Sequence, residues 1–363
     1  MTDAVLEACG ERIRAASHAK TPLAIRGGGT KDFYGEASVG GLGHDLLDVS
    51  AYAGIVDYDP TELVVTARAG TRLQEIVTTL RASGQMLACE PPAFGANATL
   101  GGAVAAGLSG PRRPYGGAMR DIVLGVRMFD GRGQDLSFGG RVMKNVAGFD
   151  LSRLVTGSLG TLGVLTEISL KCVPLPKVEA TRVLECEAAD ALNMANAWIG
   201  RPLPISATCH RGHLLAVRLS GAAPAVEAAA RQIGGSALPA ADEFWEGVRE
   251  QTDPWFGEAR ERNAPLWRIS VKASAPYREL GGEQTIEWSG ALRWLAATDR
   301  ADATSVRAYA SQHGGHATLF RASDKTAGVF HPLPETLLLL HHRLKSHFDP
   351  GGILNPGRLY PGL

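Results

Sequence analysis

The chain has 363 residues, 45% of them apolar and 20% charged, and its 37 basic and 37 acidic side chains leave no net charge. That length suggests about two domains and a core large enough to fold without disulfide or metal staples. Neutrality excludes a general affinity for nucleic acid or anionic membrane, and no run of about 18 apolar residues offers a membrane span.

The opening stretch, MTDAVLEACGERIR, carries acidic residues and no apolar core, so it does not read as a signal peptide. Five cysteines (Cys9, Cys89, Cys172, Cys186 and Cys209) form no CxxC pair, and an odd, scattered set makes a poor disulfide framework. Together these features predict a soluble cytoplasmic protein with no zinc or iron–sulfur motif of its own. Glycine contributes 44 residues, 27 of them before residue 174, whereas all six tryptophans follow that point. The change falls at Pro174 and Pro176 and marks a glycine-rich first domain, residues 1–176.

In chain order, residues 3–19 predict an amphipathic helix with Val5, Leu6, Cys9, Ile13 and Ala16 on one face. A short strand, Leu23–Arg26, runs into three glycines. Leu46–Val49 and Leu63–Ala67 read as strands, and Thr71–Ser83 as a helix stopped by Gly84. Ile122–Phe129, then Asp130-Gly131 and a polar strand to Phe138, carries a hairpin dipeptide. Gly163–Val173 closes the domain as a strand. The second region predicts strands at Arg182–Cys186, Ile205–Cys209, Leu214–Leu219, Trp267–Val271, Thr285–Trp288 and Ala317–Arg321. Its helices are predicted at Ala188–Ile199, Pro224–Ile233, Asp242–Thr252, Thr304–His313 and Pro334–His347. The pattern is α+β, with an antiparallel sheet and helices on one face in the second region, rather than a doubly wound parallel sheet.

Four glycine loops stand out. Arg26-Gly27-Gly28-Gly29-Thr30-Lys31 follows a strand, and consecutive glycines bring several amides close to an anion; a flexible surface turn is the alternative. The loop is neither a P-loop nor a Rossmann fingerprint, since GxxxxGK[ST] is absent and no GxGxxG opens a helix. Gly95 to Gly102 leads into AVAAG, where a helix start favours phosphate oxygens and Thr99 adds a hydroxyl. Tyr115-Gly116 through Asp121, and Gly157 through Gly163, add two more close backbone approaches. Four such loops suggest an extended diphosphate cofactor; a β-protein with glycine bulges is the alternative.

The series PLAIRGGGT, TELVVTARAGTRLQEI, ATLGGAVAAG, RPYGGAMRDIVLGV, DGRG and KNVAGFDLSRLVTGSLGTLGVLTEISLKCVP resembles the FAD-binding domain of the vanillyl-alcohol oxidase/PCMH family. The ending FDPGGILNPGRL resembles that family's C-terminal segment, which returns to the flavin domain. The resemblance implies a PCMH-type FAD-binding domain of two α+β subdomains over residues 1–176. An α+β cap of antiparallel sheet and helices would follow over 177–330, with the returning segment over 331–363. It implies that Arg26, Gly27, Gly28, Gly29, Thr30, Ala98, Thr99, Leu100, Gly101 and Gly102 carry the pyrophosphate. Tyr115, Gly116 and Asp121 would line the cofactor, and backbone near Gly163 and Val164 would meet the adenine.

Within the family, the short length and KNVAGFDLSRL most resemble the FAD-binding E subunits of glycolate oxidases. This implies oxidation of glycolate, or a related 2-hydroxy acid such as D-lactate, with electrons passing through FAD. The implied partners are a larger FAD-containing catalytic subunit and an iron–sulfur subunit, with any attachment to the inner membrane running through them. The alternatives are a self-sufficient FAD-dependent dehydrogenase, a non-catalytic structural subunit, and an NADPH-dependent cell-wall precursor reductase, against which the LNPGR segment argues.

Two departures from the family matter. Thr30 stands where covalently flavinylated relatives place histidine, which implies non-covalent FAD; Cys89 is read as a buried filler. The family's HxGDGNxH motif is missing, the nearest stretch being His313-Gly-Gly-His316, which lacks its Asp-Gly-Asn core. Two histidines rarely close a metal shell, so no metal is expected there or at His341, His342 and His347. Arg293 and Arg321 are candidate cations for a substrate carboxylate, and no catalytic base is assigned. The apolar stripe Leu337–Leu340 fits core packing first and a subunit contact second.

Overall fold

The computed structural model describes residues 2–36, 43–140 and 149–363, so the Lys144–Gly148 part of the KNVAGFDLSRL motif lies outside the described residues. The chain divides into two compact units. The first comprises Met1–Ser109, Ala118–Leu175 and Pro332–Leu363; the second comprises Gly110–Gly117 and Pro176–His331.

In the first unit the opening helix spans Thr2–Ala19 and buries Ile13 and Ala16. Strand Leu23–Arg26 pairs in parallel with Asp45–Asp48. A five-stranded antiparallel sheet follows, in the order Ile55–Asp59, Val64–Arg68, Val164–Lys171, Val123–Phe129, Asp135–Gly139. Helix Leu73–Ala82 packs Leu73, Ile76 and Leu80 against this sheet, beside Leu100 and Val104 of helix Leu100–Ala106. Each such side chain, fully removed from water, stabilises the unit by about 1.5–3 kcal/mol. A second cluster joins Ile13, Leu23, Leu47, Phe129 and Val164 to Ile353 and Leu354, so the C-terminal segment is core material here.

The hairpin at Asp130 is not the two-residue turn that its Asp-Gly suggests. Phe129 pairs with Asp135, and the Asp130 amide donates to the Gln134 carbonyl at 3.0 Å. The Asp130 carboxylate accepts from the amides of Arg132 and Gln134, and Gly133 takes the positive φ of +71°. Gly131 is glycine for another reason: a Cβ there would lie 2.3 Å from an Asp349 carboxylate oxygen.

The second unit is built on an eight-stranded antiparallel sheet. Its order is Ser236–Ala237, Val178–Glu185, Leu214–Gly221, Ile205–Arg211, Gly282–Glu287, Leu292–Ala297, Leu266–Ser270, His316–Arg321. On one face lie helices Ala188–Ile199, Ala223–Ile233 and Ala303–Gln312, which cover Val217, Leu219, Trp267, Ile269 and Leu295. The expectation of helices on one face only is corrected by the other side. There Trp245 and Val248 of helix Ala241–Glu250 pack on Ala207, Cys209 and Ala216. Phe256 of helix Pro254–Glu261 stands edge-on to Trp294 at 5.6 Å. Asp253 caps that last helix by accepting from the Phe256 amide, and Pro254 opens it. Both start signals stand in the sequence.

Candidate cofactor cradle

Strand Leu23–Arg26 is fixed on both edges. Asp45–Asp48 pairs with one, and the C-terminal segment takes the other, where the Leu23 amide donates to the Ile353 carbonyl at 2.7 Å and the Asn355 amide donates to the Leu23 carbonyl at 3.0 Å. The Asn355 side chain accepts from the Ile25 amide at 2.8 Å and donates to the Leu159 carbonyl at 2.7 Å. It thereby ties the strand to the loop of Gly157–Gly163 and sets where the three glycines emerge.

The glycine loop packs directly on the second loop. A Cβ on Gly28 would sit 1.5 Å from the Asn97 carbonyl oxygen, and one on Gly27 would sit 2.4 Å from the Thr99 hydroxyl. Gly29 has φ +74°. Among the described residues, the amides of Gly27, Gly28, Gly29 and Thr30 find no acceptor. A row of amides without acceptors, on backbone that comes so close to its neighbour, is a cradle for an anion. Arg26 lies beside it, paired with Asp32 at 2.7 Å. The Lys31 ammonium donates to the Ala93 carbonyl at 3.0 Å, and so does the Thr30 hydroxyl at 2.7 Å. The cavity is lined by Arg26–Asp32, Thr99, Gly102, Ala105, Ala106, Leu159, Asn355 and Arg358.

Helix Leu100–Ala106 contributes differently from the expectation of free first-turn amides. Thr99 caps it, accepting from the Gly102 amide at 3.2 Å. The Leu100 amide donates to the Thr71 carbonyl, Gly101 to Ala69 and Ala103 to Thr99. With those donors engaged within the protein, the helix offers its dipole and its packing rather than a set of open N–H groups. Thr99 and Gly102 line the cavity, while Ala98, Leu100 and Gly101 lie buried behind it.

The remaining sequence-derived residues fall elsewhere. The Asp121 carboxylate accepts from the Ala118 amide at 2.9 Å. Gly163 and Val164 are buried at the start of a sheet strand, where a Cβ on Gly163 would strike Met128. Tyr115 and Gly116 belong to the second unit, and the Tyr115 hydroxyl is 2.6 Å from that of Ser289.

Arg293, a candidate carboxylate cation by sequence, is fully buried and spends its guanidinium on the carbonyls of Ala275 and Pro276 and on Tyr309. Arg321 is held down to about 10 by burial and by Arg260 nearby. His313 lies tilted against Tyr309 at 4.8 Å, and His341 and His347 stand edge-on to Tyr360 at 6.0 Å and to Phe348 at 5.4 Å. Among the described residues no three His, Cys, Asp or Glu side chains gather as a metal site. Cys89 is buried, which pushes its thiol up. Leu337, Leu339 and Leu340 are exposed on helix Glu335–Phe348, so packing into the core does not account for the stripe.

Among the cavity residues that sequence reasoning did not pick out as site residues are Asn355 and Arg358, both in the singled-out LNPGR stretch. The Arg358 guanidinium donates to the carbonyls of Lys31 and Asp32 at 3.2 Å each, and its own carbonyl accepts from the Glu36 amide. Burial draws the guanidinium down to about 10, against the pull of Asp32, so it stays charged at neutral pH.

An amide cradle at a strand end, closed by a returning C-terminal segment, on an α+β unit with an antiparallel-sheet companion, defines an FAD-binding oxidoreductase fold. Residues 6–139 match the family model described as FAD binding domain. Over 97% of its length and 97% of the relative's, the chain is 47% identical to glycolate oxidase subunit GlcE of Escherichia coli. It is also 31% identical to glycolate oxidase subunit GlcD of Bacillus subtilis, over 49% of this chain and 37% of that one. The solved structure of p-cresol methylhydroxylase with substrate bound superposes with a TM-score of 0.66 at 15% identity, covering 97% of this chain and 87% of that chain. The chain therefore belongs to the FAD-binding glycolate oxidase subunit family typified by GlcE.

Proposed function

We propose that this chain holds FAD non-covalently through the Gly27–Thr30 amides and serves as a flavin-bearing subunit of a complex that oxidises glycolate, or a related 2-hydroxy acid such as D-lactate, to the 2-oxo acid. The observation that carries this reading is the row of amides without acceptors between Arg26 and Lys31. It sits in a chain alike over nearly its whole length to a glycolate oxidase subunit.

The residues present fit a pyrophosphate. The amides supply donors, Arg26 and Lys31 offset its charge, and Thr30 is held in place by Ala93. Arg358 and Asn355 keep the loop in register for it. Asp121 and the backbone at Gly163 and Val164 belong to the same proposed flavin-binding set. When bound, FAD supplies a two-electron acceptor that can release electrons singly or in pairs. The protein's part is to position it and to exclude competing reactions. Among the described residues that line the cradle there is neither histidine nor cysteine, and the reading takes the flavin as dissociable.

In this reading the HxGDGNxH chemistry missing from the present chain resides in a larger flavoprotein partner. An iron–sulfur partner takes the electrons onward, and membrane attachment runs through those subunits. The test is a visible spectrum of the purified chain before and after anaerobic addition of glycolate and then D-lactate. Flavin peaks that bleach make the chain a dehydrogenase in its own right. Peaks that persist, but bleach once the partner flavoprotein is added, place the substrate chemistry in the complex. A chain that neither purifies with FAD nor takes it up refutes the reading.

A further inference from the structure

Helix Glu335–Phe348 has two faces of opposite character, and the core of the first unit uses only one of them. The inward face, at helical spacing, is Leu338, His341, Lys345 and Phe348. Phe348 joins the core, the Lys345 ammonium reaches the Thr161 carbonyl at 2.9 Å, and Leu338 and His341 are half-buried. The outward face is Glu335, Thr336, Leu339, Leu340 and Arg343, and each of these is exposed. Four consecutive leucines, Leu337 to Leu340, run right round the helix, so packing on one side cannot cover them all. Leu337, Leu339 and Leu340 stay 45%, 50% and 46% exposed. Exposed apolar side chains gathered in one patch with a polar rim mark a surface that another molecule covers.

The order of charges along the outward face selects that molecule. Leu339 stands four residues after Glu335 and four before Arg343, so acid, leucine and base share one ridge of the helix. The two charges are about 12 Å apart along the axis, too far to pair with each other. Among the described residues, neither side chain makes an ion pair or a hydrogen bond. A ridge with opposite charges at equal distances from its centre is complementary to its own reverse. Two copies related by a two-fold axis at Leu339 run their helices antiparallel, and each Glu335 then faces the Arg343 of the other copy. Such ridges lie side by side when two helices pack on their i±4 rows. A bilayer fits the face less well, since a membrane-surface helix carries lysine and arginine on its flanks, whereas a carboxylate stands in this ridge. The zero net charge of the chain leaves no long-range repulsion between copies.

We propose that the outward face of helix Glu335–Phe348 is the contact through which two copies of this chain associate about a two-fold axis. Leu339 and Leu340 form its apolar centre, and two reciprocal Glu335–Arg343 pairs form its rim. This contact is separate from the flavin cradle and does not depend on the substrate. Three half-exposed leucines per copy make a small apolar centre, so the association is reversible, with a Kd on the order of 10 μM.

The test is sedimentation equilibrium of the flavin-loaded full chain from roughly 1 to 100 μM at low salt. A monomer–dimer equilibrium is expected. Leu339→Gln removes the apolar centre from an exposed position, so dimerisation should weaken by about tenfold or more while far-UV circular dichroism and flavin content stay unchanged. Glu335→Arg and Arg343→Glu each set like charges against each other at two places, and each should weaken dimerisation by about tenfold. The double variant Glu335→Arg/Arg343→Glu reverses both charges and should return to within about threefold of wild type. A chain that stays monomeric throughout the range overturns the proposal, and so does a dimer indifferent to all these variants. Single variants that weaken the dimer without recovery in the double variant also overturn it, since the ridge is then not meeting its own reverse. A monomeric chain whose Leu339→Gln variant loses binding to the partner flavoprotein assigns this face to a different subunit and overturns the second copy as its occupant.

Discussion

Lys345→Met tests how the C-terminal segment is held. Lys345 and Asp349 form a buried i,i+4 ion pair at 2.7 Å on and just beyond the last helix. The ammonium also donates to the carbonyls of Thr161 at 2.9 Å and Leu354 at 2.7 Å. The Asp349 carboxylate accepts from the amides of Ile353 and Leu354. Burial pulls the Lys345 pKa below its usual range, and Asp349 opposes that pull. Methionine fills the volume but leaves a buried carboxylate without its cation, which costs about 3–5 kcal/mol. For domains of ~150–250 residues each kcal/mol moves Tm by roughly 2–4 °C, so a fall of about 6–20 °C is expected. The segment that loosens carries Asn355 and Arg358, so flavin content should fall with stability. The assay is differential scanning calorimetry of the flavin-loaded chain, together with the flavin-to-protein absorbance ratio after gel filtration. The double variant Lys345→Met/Asp349→Leu removes both charges and should recover part of the lost stability, because no charge is then stranded. A Tm within about 2 °C of wild type, with full flavin, would falsify the latch as described.

Gly28→Val drives a Cβ into the Asn97 carbonyl 1.5 Å away and parts the two loops, so FAD should be lost while far-UV circular dichroism is retained; full flavin occupancy would remove the cradle assignment. Glu287 is protonated more readily folded than unfolded, so its contribution is present below about pH 4.5 and is lost as pH rises through about 7. Glu287→Gln keeps the acceptor for Trp294 and should match wild type near pH 4.5 but exceed it by roughly 3 kcal/mol near pH 8; a gap in urea midpoints that does not change with pH would contradict this. Thr99→Ala removes the cap on Gly102 and should lower the unfolding free energy by about 1 kcal/mol; an unchanged urea midpoint would mean that the cap contributes nothing.

Much of the local structure was legible because local chemistry fixes it. The strand Leu23–Arg26 and the helix Ala188–Ile199 carry clear hydrophobic patterns, and both have the bounds that the pattern predicts. Thr99, read from the sequence as a hydroxyl for phosphate, caps helix Leu100–Ala106 in the structure, with Gly107 at φ +64° behind it. Other elements were missed although signals were present. Asp253-Pro254 starts a helix, and Leu292–Ala297 is a central strand whose Arg293 and Trp294 mask its burial on both faces.

The sequence by itself determined which segments turn, which are helical and where amides would crowd together, because glycine spacing, caps and apolar period act over a few residues. It also carried the family resemblance, motif by motif and in order. Only the tertiary structure decided which of those groups stay open. Helix Leu100–Ala106 engages first-turn amides with Ala69 and Thr71, whereas among the described residues those of Gly27–Thr30 find no acceptor. It also decided which arginines are structural, since Arg293 is consumed by carbonyls that lie more than a dozen residues away. And it brought Asn355 and Arg358 across more than three hundred residues to the glycine loop. Those partners are set by sheet pairing and core burial, and no pattern within a short window of sequence encodes them.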